Sequence, residues 1–426
     1  NGRTEPIMPT LRPSSRPLAR AAAFWLVGAT VVALLAASSA PSPLYQVYQQ
    51  EFGFSPIELT TIFAVYVLAL LVTLLTVGRL SDFVGRRPVL AGALLIQALA
   101  MVSFLVADGS GWLLVARTVQ GVATGAAVGV LGAYLLDLQP ADGSRLGSLV
   151  NSVAPGIGLG IGALGTGLLV QYGAHPTRLV FVVLLATYAA LILATAVQPE
   201  TVRPVPGAVA ALRPRIAVPG PARRAFAAAV PNMVATWALG GLVLSIGGSV
   251  VRSVFGQSNS AVVGLVLGIF AGAGAVTGIV VTSWPPRRIE RYGTVTLVAG
   301  TAVFLTALAV SSLTLFVIAS VVAGSGFGAG FLGALRSLTQ LVRPHERAGL
   351  LSAVYVVSYL AFSIPALVAG LLITRIGLRD TSLYYGGFVL VAATASLVIG
   401  LLAARAARAA AAPAEPCTPL ALQSQR

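Results

Sequence analysis

Few residues of this chain have side chains that can perform acid–base, nucleophilic or metal chemistry. The 426 residues include 12 Asp and Glu, two His (His175 and His345) and one Cys (Cys417), and all 27 basic residues are Arg. Without Lys, neither a Walker-type phosphate loop nor a Schiff-base enzyme can be built. Two His and one Cys provide neither a metal cluster nor a disulfide within one chain. The sequence therefore predicts a protein that is not an enzyme and needs no cofactor or metal.

The densest group of charges in the first half is the segment GRLSDFVGRRP, residues 78–88. Gly78 allows the preceding helix to approach another backbone closely, and Gly85 supplies a turn. Asp82 is an acid among arginines, where it can pair with Arg86 or with an exposed helix N-terminus. We interpret Asp82 as a gating residue, because a basic loop that only orients a chain in a membrane has no use for an acid. For Arg87, gating and simple orientation both stay open.

One arginine, Arg117, lies inside an apolar segment, where a charge must face protein or water rather than lipid. We predict a polar network of Arg117 with Gln120 and Asn151, in which the arginine binds an anionic group or tunes the proton affinity of a carboxylate. The alternative is an arginine that extends to the outer membrane surface without further function. The candidate carboxylates for proton coupling are Glu58, Asp82 and Asp137.

The elements that position these residues are membrane helices. Hydrophobic residues make up 57% of the chain and the mean hydropathy is +0.91, whereas soluble domains contain about 45–50% apolar residues. Apolar runs of about 20 residues, enough to cross a bilayer as a helix, recur along the whole chain. They predict twelve spans, at residues 21–41, 57–77, 88–107, 112–136, 146–170, 178–198, 225–249, 260–283, 294–311, 313–335, 349–374 and 382–404.

The net charge of +15 reflects membrane orientation rather than nucleic-acid binding. With the N-terminus in the cytoplasm, 22 of the 27 arginines fall in cytoplasmic segments and four fall outside. This bias follows the positive-inside rule and fits an even number of crossings. We therefore expect a multi-pass protein of the cell membrane with both termini in the cytoplasm.

The chain divides into two halves that resemble each other. Residues 1–7, before Met8, are expected to be a cloning remnant; residues 8–198 and 225–404 form the halves, and 405–426 a cytoplasmic tail. Between the halves, residues 199–224 contain six prolines and predict an exposed cytoplasmic linker. RRIERYGTVTLVAG (287–300) aligns with GRLSDFVGRRPVLAG (78–92), and two later segments align at a similar offset. This is an internal duplication of the parallel kind.

These motifs resemble those of the major facilitator superfamily. GRLSDFVGRRPVL is similar to its signature G-x-L-x-D-x-x-G-R-R/K between spans 2 and 3, and the pattern from Leu113 through Arg117, Gln120 and Gly121 to Gly125 resembles its fourth-span motif. The resemblance implies an all-α membrane protein with twelve transmembrane helices in two pseudo-symmetric six-helix bundles. It also implies that Asp82 holds the halves together on the cytoplasmic side when the cavity opens outward, near Gly349 at the start of span 11.

Two further sets of residues follow from the resemblance. In span 5, NSVAPGIGLG is similar to the antiport signature of exporters, with Ala154, Pro155 and Gly158 in the motif; Gly121 and Gly125 are expected to pack helices closely. Span 1 has serines where many drug antiporters of the family carry an acid, which leaves the coupling residue open. The residues expected to line a substrate cavity are Tyr66, Asn232, Trp237, Tyr355 and Tyr359.

The function predicted is secondary-active transport by alternating access, with proton-coupled efflux of small hydrophobic or amphipathic compounds. Two alternatives stay open: import or facilitated passage of a small metabolite that Arg117 could hold as an anion, and a membrane receptor or scaffold that transports nothing. The expected partners are a small-molecule substrate, protons and the lipid bilayer, with no nucleic acid, and the expected state is a monomer.

Overall fold

The computed structural model describes residues 19–140 and 146–411. The expectations for residues 1–7, for the end of the tail and for Cys417 lie outside the described residues. Within them, twelve helices are long and apolar enough to cross a membrane, which confirms the predicted all-α membrane fold. We number them span 1 to span 12 in chain order: Arg20–Phe52, Pro56–Val77, Arg86–Leu105, Ser110–Leu138, Leu146–Tyr172, Leu179–Ala196, Gly220–Ser245, Ser260–Val280, Pro286–Ala309, Leu313–Thr339, Arg347–Ile376 and Leu378–Arg405.

The first span of each half has a helix break, after which a shorter helix follows. Span 1 consists of helices Arg20–Ser39 and Pro41–Phe52, so the predicted end at residue 41 was wrong. Pro41 lacks an N–H group and cannot continue the preceding helix, but it is well placed in the first turn of a new one. Span 7 breaks at Ile246 and continues as Gly247–Ser253. Both halves therefore have a helix break in their first span.

Span 9 begins earlier than the sequence suggested. We expected it to start at residue 294, whereas its helix runs from Pro286 to Ala309. Its first turns carry Arg287, Arg288 and Arg291, and this charge made the segment resemble a loop. A proline is favourable at the first position of a helix, and long arginine side chains can extend away from an apolar surface while the backbone stays helical.

Two pairs of spans join the halves, with span 5 against span 8 and span 2 against span 11. Glycines form the first contact: Gly160 faces Gly268, and Gly167 faces Gly264, so closely that an added Cβ would meet the backbone of the other helix. Small residues at such spacing let two backbones approach without intervening side chains. The interface between spans 5 and 8 is therefore smooth.

Most of the linker is exposed, as its prolines predicted, but it is not a free tether. Residues Ala208–Ala211 form a helical turn in which Ala211 is buried. The N–H of Val205 donates to the carbonyl of Phe83 in the loop after span 2 (2.9 Å), and the N–H of Ala217 donates to the carbonyl of Gly349 in span 11 (3.2 Å). The linker thus contacts both halves. We call the end of the bundle that carries it the linker side, and the other end the opposite side.

Candidate functional site

A cavity of about 500 Å³ lies between the two halves. Most of its wall is aliphatic, glycine or aromatic, and none of the described residues that line it is Asp or Glu. The aromatic members are Phe63, Tyr66, Trp237, Phe327, Phe331, Tyr355, Tyr359 and Phe362; the polar members are Ser38, Ser42, Arg117, Asn151 and Ser152. Its size is in the range of small-molecule sites, and Arg117 is the one charged residue among the described residues of its wall.

Arg117 is held inside the N-terminal half and does not extend to the surface. Its side chain is 1% exposed, and Nη1 donates to Gln120 Oε1 (2.6 Å) and to the carbonyl of Ser38 (3.1 Å). The guanidinium carbon lies 4.2 Å from the centre of the Tyr66 ring, a cation–π distance. The Nε group has no hydrogen-bond partner among the described residues. This geometry contradicts the alternative of an arginine directed to the membrane surface.

The break in span 1 explains why Gln120 and Arg117 belong together. Because Pro41 has no N–H group, the carbonyl of Ala37 lacks its usual helical partner, and Gln120 Nε2 donates to that carbonyl (2.8 Å). Arg117 donates to the neighbouring carbonyl of Ser38. A buried carbonyl without a donor would be costly. The pair from span 4 therefore stabilises the broken helix as well as placing a charge beside the cavity.

The wall contributed by the C-terminal half is an aromatic cluster around Trp237. Its ring contacts Phe331 and Tyr359 at centroid distances of 5.2 Å each, Phe362 at 5.6 Å and Phe327 at 6.0 Å, all edge to face. Such contacts fix the position of each ring. The indole Nε1 is buried and has no hydrogen-bond partner among the described residues. The cluster thus presents a rigid apolar wall with one unpaired donor.

The cavity is closed on the opposite side and extends towards the linker side. Phe63 of span 2 contacts Phe362 of span 11 at 5.2 Å between ring centres, and beyond them Gly370 packs directly on Thr60. Towards the linker side, the wall includes Asn151, which is exposed. The cavity is therefore closed by contacts between spans 2 and 11 on the opposite side, while its wall reaches an exposed residue towards the linker side.

Four of the five residues predicted for the cavity line it: Tyr66, Trp237, Tyr355 and Tyr359. The fifth, Asn232, does not line it. Its side chain is fully buried within the C-terminal half, where Nδ2 donates to the carbonyl of Gly330 (3.0 Å) and Oδ1 accepts from Thr294 (3.3 Å). An amide inside an apolar bundle must be satisfied, and helix packing rather than the cavity provides its partners.

The charged loop forms a compact cluster on the linker side. Arg86 Nη1 donates to Asp82 Oδ1 (2.6 Å) and to Ser81 Oγ (2.7 Å), and Arg86 Nε donates to Asp137 Oδ2 of span 4 (3.0 Å). Gly85 has a φ of 110°, which favours glycine. An arginine can hold both carboxylates at once because its donors form a planar fork. The start of span 3 is thereby joined to the end of span 4.

Glu200, just after span 6, belongs to this cluster and was not predicted. Its carboxylate accepts from the N–H groups of Arg86 (2.8 Å) and Arg87 (3.0 Å), the first residues of span 3, where an anion is favoured by the helix dipole. The Arg87 side chain donates to the carbonyl of Ala196. Thr201 Oγ1 donates to Asp137 Oδ2 (2.8 Å). The sequence signal was an acid directly after an apolar span, which the proline-rich linker obscured.

Besides Asp82 and Asp137, which belong to the linker-side cluster, two more of the residues considered for the network or for proton coupling lie apart from Arg117. Glu58 is on the opposite side, where its carboxylate accepts from the N–H and Oγ of Ser55 (2.8 Å each) and from Ser110 Oγ (3.0 Å). This is a capping box that starts span 2. Asn151 lines the cavity towards the linker side and has no hydrogen bond to Gln120 or Arg117 among the described contacts. The network therefore contains Arg117 and Gln120 but neither of these residues.

The glycines of the motifs bring helix backbones together. A Cβ at Gly121 or Gly125 would collide with the carbonyls of Tyr66 and Leu70 in span 2, and Gly129 lies against Gly78. In span 5, Ala154 is buried, Pro155 lines the cavity, and Gly158 packs on span 1. Span 4 thus lies closely along span 2, and span 5 has small residues on two faces, towards span 1 and span 8.

The twelve spans, the paired halves and the central cavity define a membrane transport protein. The family model described as Major Facilitator Superfamily matches residues 26–307. The chain belongs to this superfamily and is a transporter of its type rather than an enzyme, which also argues against the receptor or scaffold alternative.

Individual proteins support the same membership. The MFS-type transporter YybF of Bacillus subtilis is 30% identical over 152 residues, which are 35% of this chain and 36% of that protein. The multidrug resistance protein MdtL of Shewanella sp. is 35% identical over 104 residues, 24% of this chain and 26% of that protein. The chain thus matches about a third or a quarter of the length of these relatives.

Solved structures share the fold over nearly the whole chain. The nucleoside transporter NupG has a TM-score of 0.68 at 13% identity, covering 89% of this chain and all of that one. A bacterial homologue of the human lysosomal transporter Spinster, in an inward-facing and occupied conformation, has a TM-score of 0.69 at 15% identity, covering 91% and 97%. The similarity confirms the two-bundle fold.

Proposed function

We propose that the protein exports small hydrophobic or amphipathic compounds in exchange for protons, by alternating access. The observation that carries this proposal is the cavity between the halves, closed on one side and walled mainly by aliphatic and aromatic groups. Such a wall suits amphipathic compounds better than sugars, which need many hydrogen-bond partners. The Shewanella relative is named a multidrug resistance protein, and this name supports export rather than import.

Import or facilitated passage of a small anion is the second candidate. It is favoured by Arg117, a cation in the cavity wall that no described carboxylate neutralises. The fold is shared with a nucleoside transporter, and a metabolite of that size would fit a cavity of this volume. The two candidates share the cavity and the alternating motion, and they differ in the direction in which a gradient drives the solute.

Protons act, in this proposal, on the linker-side cluster. None of the described residues in the cavity wall is acidic. The nearest candidate along the same helix is Asp137, which lies at the end of span 4, the span that also carries Arg117. The carboxylate of Asp137 pairs with Arg86 at 3.0 Å. Protonation of Asp137 would remove one of the two carboxylates that hold Arg86. The contact between spans 3 and 4 would weaken, and the equilibrium between conformers would shift by the difference in that contact.

The linker side is the cytoplasmic side in this proposal, and the protein is a monomer of the cell membrane. The support is the distribution of arginines: the loop at 78–88, the linker and the starts of spans 9 and 11 are all on the linker side and rich in arginine. Positive residues favour the cytoplasmic face. The structure then corresponds to the inward-facing conformer.

Reconstitution into liposomes tests the proposal. Hydrophobic dyes and small metabolites are offered on either side of vesicles with an imposed pH gradient, and flux is followed with and without an ionophore that collapses it. Gradient-driven movement of a dye against its concentration supports proton-coupled transport, and flux that ignores the gradient contradicts it. Asp137→Asn should move the pH dependence of flux, whereas Asp380→Asn, an exposed acid on the opposite side, should not.

A further inference from the structure

The buried polar groups of the cavity wall that lack a hydrogen-bond partner are all donors. Among the described lining residues, two buried side-chain polar atoms have no hydrogen-bond partner, Nε of Arg117 and Nε1 of Trp237. The guanidinium and the indole are both donors that cannot accept. Both atoms are enclosed by protein, and the buried hydroxyl of Tyr45 lies close to Arg117, so they act on a ligand through the donor polarity of the wall, which favours acceptor groups over donor groups. The two donors come from different halves of the protein, Arg117 from span 4 and Trp237 from span 7.

The net charge of the cavity wall also favours a ligand rich in acceptors. Arg117 is 1% exposed, and its hydrogen-bond partners are a carbonyl and an amide oxygen, both neutral. A guanidinium stays protonated under all ordinary conditions, so the described cavity wall carries an uncompensated positive charge. The field of an unpaired buried charge attracts an anion and repels a cation at close range.

The aromatic wall supplies the apolar contact. Aromatic ring faces can also attract cations, so the cluster by itself would accept either sign of charge. In this cavity the rings around Trp237 are directed edge to face at one another, and the described wall has no carboxylate that would neutralise a bound cation. Arg117 therefore decides the sign, and the cluster selects for a flat ring.

We infer that the cavity binds small aromatic anions, with the acidic group of the ligand at Arg117 and its ring against the Trp237 cluster. This inference rests on the proposed function only in taking the cavity as the transport site, and it holds for either direction of transport. It narrows the substrate from amphipathic compounds in general to amphipathic acids with a ring. Cationic amphipathic compounds are excluded.

A charge series on the wild-type protein tests the inference without any substitution. The full chain in lipid nanodiscs is titrated with naphthalenesulfonate, naphthylmethanol and naphthyltrimethylammonium, which share the ring and differ in charge, and binding is followed by tryptophan fluorescence or calorimetry. The sulfonate is charged at every accessible pH. It should bind about ten- to a hundredfold more tightly than the alcohol, the range for hydrogen bonds to a charged group. Equal or tighter binding of the ammonium compound overturns the inference.

Substitutions then test which residue binds the acidic group of the ligand and which residues bind its ring. Arg117→Gln should abolish the preference for the sulfonate over the alcohol, while Arg252→Gln, an arginine outside the cavity, should leave it unchanged. Trp237→Leu should weaken naphthalenesulfonate about two- to tenfold with little effect on cyclohexanesulfonate; Trp112→Leu is the control. A sulfonate preference that survives in a folded Arg117→Gln protein contradicts the assignment.

The same probes separate this inference from the proposed function. Tight binding of the sulfonate without flux in proteoliposomes would remove proton-coupled export and keep the aromatic-anion site. Proton-driven flux of the alcohol or of the ammonium compound, without a binding preference for the sulfonate, would keep the transporter and remove the site.

Discussion

Replacing Asp82 by Asn should shift the transporter towards the conformer that is open on the linker side. In this structure the carboxylate is 51% exposed on its side chain, and its described cationic partner is Arg86 at 2.6 Å. Because water screens the half-exposed carboxylate, we take the range for surface pairs, about 0.2–1 kcal/mol. In the conformer closed on the linker side, we predict that Asp82 instead binds the start of span 11, where a carboxylate at a helix N-terminus contributes up to about 2 kcal/mol. The difference is about 1 kcal/mol, or about fivefold in the equilibrium.

In this structure the linker, and not Asp82, contacts the start of span 11. The carbonyl of Gly349 accepts from Ala217 of the linker (3.2 Å), and Asp82 makes no described contact with span 11. The closed conformer therefore requires the loop after span 2 to approach Gly349. The loss in Asp82→Asn should fall on that conformer, because a neutral amide lacks the charge that the helix end attracts.

Distances between spin labels measure this shift. Labels at Pro140→Cys and Leu341→Cys, at the ends of spans 4 and 10, report the linker side; labels at Asp108→Cys and Ser311→Cys report the opposite side. All four sites are exposed, and Cys417 is first replaced by Ser. Asp82→Asn should raise the population with long linker-side distances about fivefold, while Asp380→Asn should not. Unchanged distributions on both sides, in a protein that inserts normally, would refute the latch.

Three other substitutions each test a single contact. Arg117→Ala should abolish flux in proteoliposomes and Arg117→Lys should rescue it poorly, because Lys lacks the planar fork; full flux in the Ala variant would remove this residue from the mechanism. Gly125→Val should lower the thermal unfolding temperature in detergent, since overpacking typically costs about 1–3 kcal/mol; Gly272→Val, with open space around its Cβ, should change it little. Glu200→Gln should expose the linker to trypsin, since the exposed carboxylate stabilises the start of span 3 by about 0.3–1 kcal/mol. Glu51→Gln should not, and equal cleavage rates in the two variants would count against this anchor.

Most of the fold could be predicted from local patterns. Apolar length predicted twelve spans, and the distribution of arginines predicted their alternation, because bilayer thickness and the cost of buried charge act on each segment separately. The predicted span boundaries are wrong where a proline or a group of arginines occurs inside a helix. Span 1 continues past Pro41, and span 9 begins within an arginine-rich segment, because a helix can restart at a proline and can extend charged side chains to solvent.

The site could be predicted in part. The sequence placed Arg117 beside Gln120, since residues three apart share one face of a helix, and it selected four of the aromatic side chains that line the cavity. It did not locate Glu200 in the charged cluster. That carboxylate accepts from the N–H of Arg86, 114 positions away, and no local pattern specifies such a contact.

The sequence by itself determined that this is a membrane protein of twelve helices, that its halves are duplicated, and that one arginine lies among apolar residues. These properties depend on composition and on short-range spacing. Only the tertiary structure decided which polar groups meet. Asn232 finds its partners inside a half rather than in the cavity, Glu58 caps the helix of span 2 on the opposite side, and the linker packs on both halves. The reason is that burial and hydrogen-bond satisfaction depend on neighbours brought together by packing, and each polar group adopts the partners that its surroundings supply.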